Sequence, residues 1–394
     1  MSLPSRLFNK VARKLGLSSG FSSEELKNRQ VVSIAANVQP AKGRVLLSYV
    51  LDPFVDPSNI SNAHTHFWES FTIGQSFVAR GYDLDVIHFE NHSFMPAHDY
   101  DFFISARTNF DSIHPRLNSN CVTIVHLDTA HWLYNNAAAY KRLQELWVRR
   151  GVALVNAKEL GANWALENAD MGTVLGNTFT LDTYGYANKP LFRIPISAPL
   201  TYDWDDTKNI DSCRNRYLWF GSSGFVHKGL DLALEAFAGM PDKELVVCGP
   251  MEQEHRFCQA YRKELYDTPN VETIGWVDVA GEEFMQIARR CIGMVYPTCS
   301  EGGGGSVITC MHAGVIPIVT EQASVDVDGS GVVLDQASIA SIQRAVNSLS
   351  GMSEQSLHVL RRGAWEQARS QHTREHFAEN FQQFVDEQLL ANKT

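Results

Sequence analysis

The sequence predicts an α/β protein made of two doubly wound domains that face each other across a cleft. Short apolar runs alternate with helical stretches from Arg44 onward. The alternation stops over residues 198–214, which are polar and rich in aspartate, and then starts again. The length of 394 residues also suits two domains of moderate size. We therefore expect a linker at 198–214 and a ligand cleft between the carboxyl ends of two parallel sheets.

The first half of the chain repeats the strand pattern. Residues 45–50 form a near-continuous apolar run, as expected for a parallel strand covered on both faces. A helical stretch over residues 67–79 ends before Gly81. The other predicted strands are 84–89, 102–105, 122–126 and 152–156, and the other predicted helices are 140–149 and 158–168.

The second half predicts a second sheet followed by a helical tail. Leu230, Leu234 and Phe237 lie on one face of a helix over residues 230–237. The tail over residues 353–390 is helical, with a break near His372. The predicted strands are 217–220, 245–248, 271–274, 293–296, 315–319 and 332–334.

These patterns divide the chain into four segments. Residues 1–40 form an N-terminal basic segment, 41–200 the first domain, and 201–370 the second domain. Residues 371–394 form a C-terminal helix that can pack back on the first domain.

Composition narrows the class of protein. The formal net charge of −10 disfavours a nucleic-acid partner. The seven cysteines are scattered and form no C-x-x-C pair, which predicts reduced thiols in a cytoplasmic protein and no zinc site. No apolar stretch approaches the ~20 residues that span a bilayer.

A glycine loop, residues 300–306, is the most informative stretch. It follows the apolar segment 293–297 and precedes a helical stretch that begins at Val307 and ends before Gly314. The first amides of a helix have no internal partner, so a strand, a glycine loop and a helix start together favour an anion. Glu301 stands beside this loop and can accept hydrogen bonds from sugar hydroxyls. The combination predicts a phosphorylated sugar or a nucleotide sugar.

A second loop of the phosphate-binding type covers residues 221–229. Lys228 stands just before the helix, where its ammonium can reach a diphosphate. Gly221 and Gly224 do not complete a G-x-G-x-x-G dinucleotide motif, and Gly229 stands where a Walker loop needs Ser or Thr. A surface lysine after a flexible turn remains the alternative interpretation.

The second half resembles the retaining glycosyltransferases of family 4, which have the GT-B fold of two Rossmann-like domains. The matching blocks occur in the family's order, and they are residues 220–221, 228–237, 245–249, 271–277, 296–302 and 311–319. The resemblance is specific over residues 217–333 and holds only in outline for the first half.

The resemblance implies roles for residues of the second domain. Lys228 would hold the donor diphosphate, Glu301 would bind the donor sugar, and the backbone near Trp276 and Val277 would meet the nucleobase. The donor-binding set it implies is Gly221, Ser222, Trp276, Val277, Gly303, Gly304, Gly305, Ser306 and Thr309. It also implies a reaction without metal or cofactor.

Two positions depart from the family's pattern. Thr309 stands where the family has the second acid of its paired-glutamate motif, so the motif is degenerate and one carboxylate for the ribose hydroxyls is missing. Ser222 stands where an arginine usually follows the glycine that ends the strand. Both changes weaken the expected contacts to the nucleotide.

The first domain is expected to supply the acceptor site. His64, His66 and Glu69 open its first long helix, and they can bind an acceptor, cap the helix or, less in keeping with their spacing, hold a metal. His126 closes a strand, so its side chain is expected to face the cleft and assist catalysis, unless it is a core histidine.

The sequence therefore predicts a hexosyltransferase-like enzyme that moves a sugar from a nucleotide sugar to a hydroxyl of a glycan or a lipid-linked saccharide, with retention. Two alternatives stay open. One is a catalytically weak GT-B scaffold that binds a glycan or a partner glycosyltransferase, and the other is a nucleotide-sugar epimerase or a sugar phosphorylase on the same fold.

The first eighteen residues generate a prediction about membranes. Apolar residues recur there at helical spacing among basic ones, which is typical of a helix lying on an anionic surface. The residues are Leu3, Leu7, Val11 and Leu15 with Arg6, Lys10, Arg13 and Lys14. Each basic side chain near such a surface contributes about 1 kcal/mol. The full chain should float with anionic liposomes at low salt, as an enzyme at the inner face of a membrane would.

A form that starts at Phe21 is the control and should stay in the soluble fraction. Equal behaviour of the two forms would make the segment a terminal helix only.

Overall fold

The computed structural model describes residues 29–327 and 329–391. Within these ranges the chain folds into two α/β domains, each built on its own sheet. The predicted helix within residues 1–18 lies outside the described residues. No described helix combines the length and the apolar character that crossing a bilayer requires.

The first sheet has seven strands in the order β1-β3-β2-β4-β5-β6-β7. All neighbours are parallel except β1, which pairs antiparallel with β3 and lies in the stretch assigned to the N-terminal segment. The strands are β1 Val31–Ile34, β2 Gly43–Tyr49, β3 Tyr82–His88, β4 Phe102–Ala106, β5 Val122–Leu127, β6 Met171–Val174 and β7 Leu191–Arg193.

The second sheet has six parallel strands in the order β10-β9-β8-β11-β12-β13. They are β8 Arg216–Phe220, β9 Glu244–Cys248, β10 Val271–Gly275, β11 Gly293–Tyr296, β12 Ile316–Val319 and β13 Val332–Val333. The strand order reverses between β8 and β11, and in the first sheet between β2 and β4. Ligands of doubly wound folds bind at such switch points, so the loops after these four strands are the ones to examine.

Helices cover both faces of the two sheets. They are α1 Asp52–Val55, α2 Thr65–Val78, α3 Arg107–Ile113, α4 Trp132–Arg150, α5 Ala165–Asn168, α6 Thr178–Thr183, α7 Ile210–Cys213, α8 Leu230–Ala238, α9 His255–Ala260, α10 Glu282–Arg290, α11 Gly305–His312, α12 Ile339–Ser350, α13 Glu354–Gln371 and α14 Arg374–Phe384. Short 3-10 or π turns occupy His114–Arg116, Gly185–Ala187, Met251–Gln253, Lys263–Asp267, Glu321–Ala323 and Val385–Leu390.

One stretch differs from its prediction. Residues 152–156 form no strand, and only Ala165–Asn168 of the predicted helix 158–168 is helical. The reason is that side chains of α4 bond the backbone there. Asn135 donates to the carbonyl of Lys158, and Asn136 both donates to and accepts from the backbone of Leu160. The sequence analysis also missed β6 and β7, whose four and three residues are too short to show a period.

The C-terminal helices return to the first domain. The break predicted near His372 separates α13 from α14, and Thr373 caps α14. Helix α14 packs on α2, where the rings of Trp68 and Phe377 lie 6.1 Å apart. The ring of Phe384 lies 5.1 Å from that of Phe192 of β7. As a result, the largest buried apolar cluster is continuous through both domains.

Helix α4 of the first domain makes buried polar contacts with the second domain. Arg142, which is buried, donates to the carbonyl of Pro297 at 3.0 Å. Arg149 pairs with the buried Asp231 of α8 at 2.6 Å. These contacts fix α4 against the loop that follows β11, so they position one side of the cleft.

The return of α14 predicts that its aromatic residues stabilise the whole chain. Phe381 is fully buried, so Phe381→Ala should lower the free energy of unfolding by about 3–5 kcal/mol. Urea unfolding followed by tryptophan fluorescence measures this loss. Glu379→Ala, an exposed change in the same helix, should stay within about 0.5 kcal/mol of the parent chain. Equal midpoints for the two variants would contradict the prediction.

Candidate functional site

A cleft of about 420 Å³ lies between the carboxyl ends of the two sheets. It receives the loops that follow β8 and β11 from the second domain and the start of α2 from the first. All the site residues predicted from the sequence line this cleft except His126 and Glu69. The structure thus brings together residues that lie up to about 245 positions apart, since His64 and Thr309 line the same cavity.

A buried ion pair occupies the centre of the second-domain wall. The Lys228 ammonium donates to Oε1 of Glu301 at 2.8 Å and to the hydroxyl of Tyr296 at 2.9 Å. Oε1 of Glu301 also accepts from Tyr296 at 2.8 Å and from Thr298 at 3.2 Å. Nothing in the sequence around Glu301 predicts these three internal partners. Its Oε2 takes no part in these bonds, and its side chain is 18% exposed toward the cleft.

The pair holds both groups in their charged forms. Burial by itself raises the pKa of Glu301, but the Lys228 charge and the hydrogen bonds from Lys228 and Tyr296 lower it to about 2. Burial likewise lowers the pKa of Lys228, but the Glu301 carboxylate raises it well above its ordinary value. At neutral pH the pair therefore carries no net charge, and Glu301 acts only as a hydrogen-bond acceptor.

The glycine loop begins α11 and also touches the first domain. Gly303 and Gly304 have φ of +146° and +51°, and Gly304 is the residue before the first turn of α11. A Cβ on Gly302 would overlap the carbonyl group of Asp128 in the first domain. The glycines are therefore needed for the close approach of the two domains as well as for the turn. The first amides of α11, with Gly305 and Ser306, face the cleft and favour an anion.

In the other predicted phosphate loop, residues 221–229, a carboxylate of the protein itself occupies two backbone amides. The backbone amides of Gly224 and Phe225 donate to the carboxylate of Glu254, which reaches them from the turn before α9. Burial is the largest influence on Glu254 and raises its pKa. These two amides are thus occupied, and the residues of this loop that line the cleft are Gly221, Ser222, His227 and Lys228.

Trp276 and Thr309 line the cleft and offer a ligand an aromatic ring and a hydroxyl group. Trp276 is 63% exposed at the rim, next to the buried Val277. Thr309 faces the cleft, but its hydroxyl donates to the carbonyl of Gly305 at 2.9 Å within α11. The hydroxyl can therefore only accept a hydrogen bond from a ligand. A carboxylate at this position would also accept, but with two charged oxygens in place of one neutral oxygen.

The first-domain wall has an outer and an inner layer of polar side chains. His64 and His66 line the cleft, with ring centroids 4.1 Å apart, and His64 also caps α2. His126 lies behind them at 1% exposure, where it bonds Thr173 at 2.8 Å and contacts the ring of Tyr49. Burial lowers the pKa of His126 to about 4, so the ring is neutral at pH 7.

The expectation that Glu69 binds an acceptor is not met in this structure. Its side chain is fully buried and accepts from the amide and the hydroxyl of Ser197 at 2.9 and 2.8 Å. Burial raises the pKa of Glu69 to about 7. Glu69 instead ties α2 to the segment that leaves the first domain, through a partner 128 positions away in the sequence. His126 takes the alternative position predicted for it, that of a buried core histidine, and the ring of Tyr49 contacts both His126 and His66.

Sequence reasoning missed the polar residues that line the first-domain wall beside the histidines. Asp128 follows β5 and pairs with Arg107 at the start of α3. Lys158 belongs to the stretch that was predicted to be a helix. A helical assignment gave no reason to place its side chain in the cleft. Among the described residues, no three His, Cys, Asp or Glu side chains converge as metal ligands, and His64, His66 and Glu69 are no exception.

Comparison with known proteins agrees with this geometry. Residues 214–351 match the family model described as glycosyl transferases group 1. None of the curated proteins matches this sequence.

Solved structures resemble the whole two-domain arrangement. Sucrose-phosphate synthase from Thermosynechococcus elongatus has a TM-score of 0.64 at 15% identity, with 89% of this chain and 100% of that chain covered. The Anabaena HepE protein in complex with UDP and glucose has a TM-score of 0.58 at 10% identity, with 89% and 100% covered. S. aureus TarM in complex with UDP, among other ligands, has a TM-score of 0.52 at 12% identity, with 71% and 54% covered.

This chain thus spans about half the length of TarM. At such identities the likeness establishes the GT-B fold.

The buried pair generates a prediction about stability and pH. Lys228→Met leaves the Glu301 carboxylate buried without its counter-charge. The free energy of unfolding at pH 7 should therefore fall by about 3–5 kcal/mol. In the parent chain, the pKa of Glu301 is lower in the folded state, so its stabilisation is present above about pH 4.5 and is lost toward pH 2. In the variant, burial raises that pKa, and the penalty fades as the carboxyl takes up a proton.

The difference in stability should therefore be largest at pH 7 and smaller near pH 4, as urea unfolding at both values can measure. The double variant Lys228→Met/Glu301→Gln removes both charges and should recover most of the loss at pH 7. A deficit that is the same at the two pH values, with no recovery in the double variant, would show that the pair is not what stabilises these loops.

Proposed function

We propose that this chain, whose residues 214–351 match the glycosyl transferases group 1 family model, transfers a sugar from a nucleotide-sugar donor to an acceptor hydroxyl with retention and without a metal. One observation carries the proposal. A carboxylate, a lysine ammonium and the open amides of a helix start converge in a single cleft at the switch points of two facing sheets. These are the groups that a sugar joined to a diphosphate needs.

Three features of the second domain support the proposed position of the donor. The diphosphate lies at the start of α11, where Gly303 to Ser306 present amides. The sugar lies against Oε2 of Glu301, which accepts from its hydroxyls. The nucleobase lies toward Trp276, whose exposed ring offers a surface for stacking.

The chemistry needs no carboxylate nucleophile. The bond from the anomeric carbon to the diphosphate oxygen breaks while a bond to the acceptor oxygen forms on the same face. The acceptor proton goes to the leaving diphosphate. The protein positions the two substrates and stabilises the charge of the diphosphate with the amides of α11 and nearby ammonium groups. Glu301 stays ionised, because its pKa is held at about 2, and so it keeps the sugar oriented.

The acceptor approaches from the first-domain wall, where His64 and His66 line the cleft. Its class follows from the family alone, and a glycan or lipid-linked saccharide is proposed. His126 and Glu69 support this wall from behind, because both are buried beneath it.

A catalytically weak scaffold is the second candidate, and Thr309 is the observation that favours it. With its hydrogen committed to Gly305, Thr309 offers the nucleotide one weak acceptor in place of a carboxylate. A scaffold would bind nucleotide sugars or glycans without breaking the bond at the anomeric carbon.

Glu301→Gln decides between the two candidates. The amide keeps the shape of the side chain but removes the charge that orients the sugar, so turnover should fall by about 100-fold or more. The measurement is release of nucleoside diphosphate from a panel of nucleotide sugars, with the melting temperature recorded beside it. Glu252→Gln, an exposed change in the same domain, should leave turnover unchanged.

Turnover that is equal in Glu301→Gln and in the parent chain would remove Glu301 from the site. A parent chain that binds nucleotide sugars but releases no diphosphate from any of them would instead favour the scaffold.

A further inference from the structure

A lysine of the first domain reaches the phosphate end of the cleft. We propose that Lys158 binds the diphosphate of the donor, across the cleft from the amides of α11; this rests on the proposed function. Lys158 lines the same cavity as Lys228, Gly221 and Ser306. It would be a ligand-binding residue contributed by the domain that is otherwise expected to serve the acceptor.

The charges in the cleft explain why a second cation is needed. The Lys228 ammonium is neutralised by Glu301 at 2.8 Å, so the pair offers a diphosphate no net positive charge. The amides of Gly224 and Phe225 are occupied by the Glu254 carboxylate. Without another cation, a diphosphate would meet mainly neutral donors along the described lining, such as the amides of α11 and the hydroxyl of Ser222. Within the described residues Lys158 pairs with no carboxylate, so its charge remains available to a ligand.

The backbone of Lys158 is fixed, so the side chain starts from a defined position. Its carbonyl accepts from Asn135 at 2.9 Å, and its amide donates to Oδ1 of Asn156 at 2.9 Å. Two residues further on, Asn136 bonds both the amide and the carbonyl of Leu160. These bonds replace the strand and helix predicted for this stretch, and they hold it against α4.

The stem of the side chain is directed by the second domain. Gly224 has a φ of +93°, and a Cβ built there would lie 2.6 Å from Cγ and 3.0 Å from Cε of Lys158. Only a glycine therefore lets the stem lie on the loop over residues 221–229. The stem crosses from one domain to the other, and its ammonium ends among the groups that line the cleft.

The charged groups that act on Lys158 come from both loops of the second domain. Burial lowers its pKa, and the neighbouring Lys228 lowers it further, while Glu301 and Glu254 raise it. An ammonium group whose charge is made costly by burial is stabilised by an anion placed beside it. A diphosphate provides such an anion, and it would then join the two domains through Lys158 and the amides of α11.

Binding of phosphate probes tests the role of Lys158. Lys158→Met keeps the stem on Gly224 and removes the charge, so the affinity for inorganic pyrophosphate and for UDP, ADP and GDP should fall by about 10- to 100-fold for each that the parent chain binds. The affinity for the matching nucleosides should stay within about twofold. Lys158→Arg should keep most of the affinity for the diphosphates. Titration calorimetry gives these ratios, and melting temperatures show that the variants fold.

Lys141→Met is the matched control, because Lys141 is an exposed lysine of α4 and does not line the cleft. It should leave every affinity unchanged. If Lys158→Met does not fold, Lys158→Gln replaces it in the same comparison.

The outcomes separate this proposal from the proposed function. Suppose that the parent chain binds a nucleoside diphosphate more tightly than its nucleoside. If the ratio of these two affinities is the same in Lys158→Met, the role of Lys158 is overturned and the proposed function stands. If the parent chain binds neither pyrophosphate nor any nucleoside diphosphate, both are overturned.

Discussion

The structure of the cleft depends on the buried pair of Lys228 and Glu301. Each charge alone would be costly to remove from water, whereas together, with the Tyr296 hydroxyl, they satisfy each other. Lys228 comes from the loop after β8 and Glu301 from the loop after β11, so one ion pair joins the two loops at the point where the strand order reverses. Three donors hold Oε1 of Glu301, so the orientation of the carboxylate is fixed, and Oε2 takes no part in these bonds.

The glycine loop shows how the position of one domain limits the residues of the other. A side chain at Gly302 would overlap the carbonyl group of Asp128, and Thr180 of α6 donates to the backbone carbonyl of Glu301 at 3.2 Å. The loop that begins α11 is therefore held from the first domain as well as by its own helix. The first domain thus helps to shape the donor side of the cleft, and the two domains are joined further by α14, which packs on α2.

The inner layer behind the histidines supports the opposite wall. Glu69 binds Ser197 just before the chain leaves the first domain, so α2 is tied to the segment that leads to the second domain. The ring of Tyr49 contacts both His66 and His126, with centroid distances of 5.4 and 5.3 Å. Burial keeps both histidines neutral, because it lowers their pKa values. The two histidine rings therefore shape the wall without adding charge to it.

The sequence by itself determined the fold class and which loops of the second domain line the cleft. Parallel strands covered on both faces need long apolar runs, and a strand, a glycine turn and a helix start need residues that are adjacent in the chain. Local order was therefore enough to predict that Lys228, Glu301 and the start of α11 lie at the cleft. The burial of Glu69, by contrast, depends on a partner 128 positions away. Only the tertiary structure decided that Lys228 and Glu301 neutralise each other, that Glu254 fills the first loop, and that Lys158 enters the cleft. Each of these depends on charged groups that are far apart in the sequence and close together only in the folded chain. No local sequence pattern gives the distance between such groups.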